Sequence, residues 1–183
     1  MNRVDAFVLL KERVREKNLI RHSLAVESVM KEIAEFFNQD ILVWSLAGLL
    51  HDVDYEETKN SPQLHSLRGG EILQNLGLPD EIVSAVKAHN QVHRLPRLAL
   101  LDKVLFATDP LTGLITASAL VLPSKKLADL KVGSILKRFK EVRFAAGADR
   151  PAIQSIEESG LSLEKFIELG LRAMQQVAVD LEL

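Results

Sequence analysis

Residues 41–54 read ILVWSLAGLLHDVD, ten apolar or small residues followed at once by His51, Asp52 and, two positions on, Asp54. A helix this apolar keeps no face for water, so the polar pair at its end is delivered into the interior. Buried without partners, each group costs on the order of a kcal/mol or more. Partners must therefore come from elsewhere in the chain.

Outward from this run the chain is helical by period, because apolar residues recur at three and four positions rather than at two. The pattern predicts helices over 3–16, 20–38, 41–52, 62–76, 79–90, 97–121, 126–141, 150–159 and 162–181. Ser61-Pro62 reads as a cap and first turn, Gly77 as a helix stop, Pro79-Asp80-Glu81 as an acidic start and Ser162 ahead of Glu164 as another. No strand-like alternation, internal repeat or long linker interrupts this, so a single all-α domain is expected, with residues 1–122 as its core and 123–183 as C-terminal helices packed on it. The Lys- and Arg-rich stretch 123–150 is expected at the periphery.

Composition narrows the function classes. Lys plus Arg number 23 and Asp plus Glu 25, a formal net charge of −2 that gives no electrostatic footprint for a nucleic acid duplex. There is no cysteine, hence no disulfide and no thiolate metal site. The first 20 residues carry no signal-peptide apolar stretch, and no run approaches the roughly 18 residues of a membrane span. A cytoplasmic protein without membrane partners is expected; the oligomeric state stays open.

On the predicted helices the histidines fall on apolar faces. His22 shares a stripe with Val26, Val29, Ile33 and Phe37; His65 lies with Gly69, Ile72 and Leu76; His89 lies with Ile82, Ala85 and Val86. Asp109 sits above Leu105 and Phe106, and His93, in the loop QVHRLP, reads as surface. One inward histidine is ordinarily a hydrogen-bonded core residue, and Asp109 next to Pro110 could be a turn or kink. Four inward histidines with two aspartates point instead to a shared cation. Asp102 competes with Asp109, since seven residues place both on nearly one stripe; the ATDPLTG context favours Asp109.

The ordered set of His22, His51-Asp52 and Asp109 resembles the metal signature of the HD superfamily, whose members are mostly metal-dependent phosphohydrolases. The intervening HSLRGGEILQNLGLPDEIVSAVKAHN resembles the segment in which a two-metal subgroup carries two further histidines, here His65 and His89. The resemblance covers roughly residues 20–115. It implies an HD-type helical bundle in which His22, His51, Asp52 and Asp109 hold one divalent ion, and Asp52 bridges to a second held by His65 and His89. It further implies hydrolysis of a phosphoester or phosphoanhydride in a nucleotide or another small phosphorylated metabolite. His and carboxylate ligands suit Fe, Mn, Co, Ni, Zn or Mg in one or two copies.

The sequence departs from the superfamily at HDVDY, where Asp54 and Tyr55 stand in place of the glycine and lysine of HDIGK. Arg68 and Lys103, with Lys87 and the pair Lys125 and Lys126, are the candidates for the missing phosphate-facing charge; Asp52, Arg68 and Lys103 form the expected catalytic set. H89-N90 replaces a double histidine, so nothing points to a third ion. Two further function classes carry the same ligands: a di-iron oxygenase of the HD fold, and a regulatory module that binds metal or nucleotide without turnover.

Overall fold

Helix ends follow local hydrogen-bond chemistry. In a computed structural model describing residues 1–183, the chain is all-α. Its helices are α1 (Arg3–Arg13), α2 (Lys17–Phe36), α3 (Ile41–Leu50), α4 (Tyr55–Thr58), α5 (Leu67–Asn75), α6 (Asp80–His89), α7 (Leu100–Leu120), α8 (Val132–Phe139), α9 (Arg150–Gln154), α10 (Leu163–Gln176) and α11 (Ala178–Leu181). Asp40 Oδ1 accepts from the amides of Leu42 and Val43 to start α3, Asp149 caps α9 and Ser162 caps α10, each satisfying amides that lack a partner at a helix start. Gly77 ends α5 at φ +74°, where a side chain would be strained.

The expected helix over 62–76 starts five residues late. Ser66 adopts φ +69°, its amide donates to Asp54 Oδ2 at 2.9 Å and its hydroxyl to Lys87 O at 3.0 Å. Ser61-Pro62 is therefore not a helix start, and His65 sits on a turn rather than on a helical stripe. A short helix that the period did not announce, α4, follows the His51–Asp54 turn. The segments expected over 126–141 and 150–159 each split into an α-helix and a 3₁₀ turn.

α3 is the central element, with seven of its ten residues buried. It packs on α1, α2, α6 and α7, which explains why it could dispense with a polar face. Its closest approach is to α2 at Gly48, where a Cβ would lie 2.9 Å from Met30 Cγ and 3.0 Å from backbone atoms of Val26 and Glu27. The long α7 packs on α2, α6, α9 and α10, and stays helical through Pro110 despite the missing amide. One hydrophobic cluster runs from Ala6 to Leu181 and includes Leu127, Leu130 and Ile135. The 123–150 stretch is largely exposed, as expected, but Leu127, Leu130, Ile135 and Ala148 enter that core. No helix is long and apolar enough to cross a membrane.

Gly48→Ala should overpack the α2–α3 contact, because the obstructing atoms include backbone that cannot rotate away. A stability loss of about 1–3 kcal/mol is expected, read as a lower midpoint in denaturant. An unchanged midpoint would mean that the two helices can separate freely.

Candidate metal centre

Five separate elements converge on one point. α2 supplies His22, the end of α3 supplies His51 and Asp52, the turn ahead of α5 supplies His65, α6 ends in His89, and the middle of α7 supplies Asp109. Asp52 divides its two oxygens between two groups. Its Oδ2 lies 3.4 Å from His51 Nε2 and 3.9 Å from His22 Nε2, while its Oδ1 lies 3.2 Å from His65 Nε2 and 3.4 Å from His89 Nε2. Asp109 Oδ1 completes the first group at 3.0 Å from His22 Nε2 and 3.9 Å from His51 Nε2.

The other ring nitrogen determines what each Nε2 can do. His51 Nδ1 donates to Gly48 O at 2.8 Å and His89 Nδ1 donates to Val86 O at 2.6 Å, because a carbonyl can only accept. Thr112 donates its hydroxyl to Asp109 O at 2.9 Å, so it accepts from His22 Nδ1 at 3.2 Å. His65 Nδ1 has Asp54 Oδ1 at 3.2 Å, off the N–H line, and Thr58 Oγ1 at 3.4 Å. In the neutral rings each Nε2 then carries a lone pair aimed inward. Yet His22 Nε2 and His51 Nε2 stand 3.2 Å apart, a separation at which two lone pairs repel unless a proton or cation lies between them. The donor set fits a cation: His22, His51 and Asp109 bring ligand atoms within 4.8 Å of one another, and His51, Asp52 and His89 do the same.

Two openings reach this cluster. One, of about 250 Å³, is lined by His65, His89, Phe106 and Asp109; the other, of about 330 Å³, by His22, Asp109 and Gly113. Asp109, with 34% of its side chain exposed, faces both, whereas His51 is at 0%. Ala145, Gly147, Ala148 and Asp149 overhang the openings, and Arg150 holds that loop by donating to the carbonyls of Arg138, Phe139, Phe144, Ala145 and Ala148. All five guanidinium N–H donors are used on backbone.

Residues 19–114, just over half of the chain and the span that contains all six clustered side chains, match the HD domain family. The chain belongs to that family. Ribonuclease Y of Lawsonia intracellularis is 30% identical over 164 residues, which are 90% of this chain and 28% of that protein. Ribonuclease Y of Desulfotalea psychrophila is 32% identical over 97 residues, 53% of this chain and 18% of the relative, and that of Aquifex aeolicus 26% identical over 172 residues, 91% and 30% respectively. This HD domain protein thus spans less than a third of the length of these relatives. No solved structure matches it.

Within the HD domain the basic residues singled out from sequence lie away from the cluster. Arg68 donates to Glu57 and Glu71 at 3.1 Å on the surface. Lys103, six residues before Asp109 on α7, points about 120° away from it around the helix. Lys87 reaches Gln74 at 3.4 Å, and Lys125 and Lys126 are exposed without lining either opening. Arg97 packs on Phe106, which lines one opening: its guanidinium lies 3.7 Å from the ring centroid and donates to Ala88 O. His93 is not a free surface residue: its Nε2 donates to His65 O at 2.7 Å, joined there by Asn90 Nδ2 at 3.2 Å. Asp102 is confined to the start of α7, where Oδ2 accepts from the amides of Leu98 and Ala99.

Thr112 is a supporting residue that sequence reasoning passed over, and Asp54 and Asn90, read there only as departures from the superfamily pattern, are two more. Only Thr112 had a local signal, one turn after Asp109.

Carboxylates control the charge of the metal-free centre. Burial disfavours charge on His51, but Asp52 beside it outweighs that and, with Asp109, raises its pKa to about 9. Burial likewise opposes protonation of His65, and Asp52 and Asp54 together lift it to about 10. Asp52 is pushed up by burial yet held well below the usual carboxylate range, His51 being the strongest opposing influence. Asp109 is lowered through His22 in the same way.

Raised histidine pKa values stabilise the folded state fully below the unfolded value of 6.5, and that contribution is lost as pH rises through about 9 to 10. In chelator, the melting temperature should therefore fall between pH 6.5 and 10. Added divalent metal, which competes with the same protons, should raise it more at pH 9 than at pH 6. A metal-induced rise that is largest at pH 6 would contradict this charge arrangement.

Proposed function

We propose that this chain is a metal-dependent phosphohydrolase that cleaves a phosphoester or phosphoanhydride bond in a nucleotide or other small phosphorylated metabolite. The observation that carries the reading is the division of Asp52, one carboxylate oxygen toward His22 and His51 and the other toward His65 and His89. In this reading His22, His51, Asp52 and Asp109 hold one divalent ion, and His65 and His89 hold a second with Asp52 between them. The chemistry such ions supply when bound is Lewis acidity toward phosphate oxygens and toward water.

The chain's own residues do the rest. His51 and His89 are locked by backbone carbonyls and keep their nitrogens in place without reorganisation. Asp109, the most open of the six where sides are compared with His22 and His51, faces the cavity that a phosphate would enter. Openings of a few hundred Å³ favour a small substrate over a duplex.

A second reading is cleavage of a phosphodiester in RNA. It is favoured by the name of the relatives, Ribonuclease Y, one of which aligns with 90% of this chain. Both readings need the same centre and differ in what occupies the openings.

Asp52→Asn tests the shared part. The amide is nearly isosteric but lacks the charge that neutralises two cations, so bound metal and phosphate release should collapse together. The expected loss is at least 100-fold, about 2.7 kcal/mol of transition-state stabilisation. Elemental analysis should find about two ions per chain in the parent and nearer one in His65→Ala or His89→Ala. An Asp52→Asn variant that keeps both its metal and its rate would refute the reading. Release of phosphate from a nucleotide panel, set beside cleavage of a single-stranded oligoribonucleotide, separates the two substrates.

A further inference from the structure

We propose that Asp54 is the positioning residue that commits His65 to the second ion, so that its replacement removes that ion and spares the first. The inference rests on the two-ion reading above and gives a role to a residue outside the six ligands.

Asp54 meets His65 through both carboxylate oxygens and through its own carbonyl. The side chain is 0% exposed. Oδ2 accepts the amide of Ser66, the residue directly after His65, at 2.9 Å, and so fixes the left-handed turn at φ +69° from which His65 enters the centre. Oδ1 has no hydrogen-bond partner and stands 3.2 Å from His65 Nδ1. The carbonyl accepts from the Thr58 hydroxyl at 2.8 Å, and that hydroxyl lies 3.4 Å from the same Nδ1.

These contacts decide where a neutral His65 keeps its proton. The hydroxyl proton of Thr58 is spent on the Asp54 carbonyl, so toward His65 this group can only accept, as can a carboxylate oxygen. Both polar neighbours of Nδ1 are therefore acceptors, which places the single proton on Nδ1 and leaves Nε2, 3.2 Å from Asp52 Oδ1, free to ligate. Tyr55 and His89 pack edge-on against the ring, with centroids at 5.3 and 5.2 Å. Asp54 and Tyr55, the two departures from HDIGK, thus both stand against His65.

The surroundings make room for the carboxylate. A Cβ at Gly69 would lie 3.0 Å from Asp54 Oδ1 and 3.3 Å from its Cγ, so a side chain there would crowd it. Burying a carboxylate with one oxygen unpaired is unfavourable by itself, and the donor beside that oxygen is the ring N–H of His65. The polar contacts of Asp54 run to Ser66, Thr58 and His65, and none runs to His22, His51 or Asp109. The first ion is therefore independent of it.

The test is Mn binding to the metal-free chain, followed by calorimetry and electron paramagnetic resonance, in the parent, Asp54→Gly and Asp54→Asn. The parent should take two ions and show the spectrum of an exchange-coupled Mn pair. In Asp54→Gly the second ion should bind about 10- to 100-fold more weakly, with isolated Mn replacing the coupled pair, while the first ion keeps its affinity. Asp54→Asn separates proton placement from the turn and decides the matter should Asp54→Gly fold poorly. Its carbonyl still accepts from Ser66, but its NH₂ group then faces His65 Nδ1 and donates to it, driving the ring proton to Nε2; the second ion should weaken here too, although the turn is preserved. Either variant holding the second ion as tightly as the parent overturns the proposal and leaves the two-ion reading standing. Equal weakening of both ions also overturns it, since Asp54 would then support the whole centre. A parent that binds one ion, unchanged in His65→Ala, refutes the two-ion reading itself and the proposal with it.

Discussion

Four imidazoles can face one buried carboxylate only because their outer nitrogens are already committed. Gly48 O, Val86 O, the Thr112 hydroxyl and the Asp54–Thr58 pair each occupy an Nδ1. In a neutral ring this places the Nε2 lone pair toward Asp52, whereas without metal the carboxylates keep a second proton on His51 and His65. These acceptors orient the rings as a cluster that could hold a metal ion requires.

The bundle is arranged around this demand. α3 approaches α2 so closely at Gly48 that no side chain fits, and the same residue's carbonyl fixes His51. Packing and ligand orientation are therefore one feature of the backbone. On the far side, Asp54 takes the amide of Ser66 and stands against the ring of His65, so the strained turn before α5 serves the centre. Asn90 and His93 hold the carbonyl of His65 from above. On the side of Asp109, the loop gathered by Arg150 borders the openings.

Charge is distributed in two zones. Inside, Asp52, with Asp109 and Asp54, holds protons on His51 and His65 when no metal is present, so acidification and metal loading compete for the same nitrogens. At the mouth, basic residues are few: Arg97 lies against Phe106, while Arg68 is neutralised by Glu57 and Glu71. In the proposed phosphohydrolase, bound ions rather than a cationic surface would attract substrate charge, in keeping with a net charge of −2.

The sequence by itself determined the helical class and most helix positions, because burial of His51-Asp52 at the end of a faceless helix demands partners and the 3.6-residue period turns His22, His89 and Asp109 inward; the resemblance to the HD superfamily completed the set with His65. It also separated Asp109 from Asp102 through local context. Only the tertiary structure decided the rest. His65 reaches the centre from a turn created by the left-handed Ser66, which no period reveals. Arg68 is held in surface ion pairs and Lys103 points away from Asp109 around its helix, and the largely exposed 123–150 stretch sends four residues into the core and lines the openings. Asp54, Thr112 and Asn90 acquired their roles through partners far away in the chain or through the direction of a single hydrogen bond. Such roles depend on where atoms meet after folding, whereas periodicity records only which face a residue occupies on its own helix.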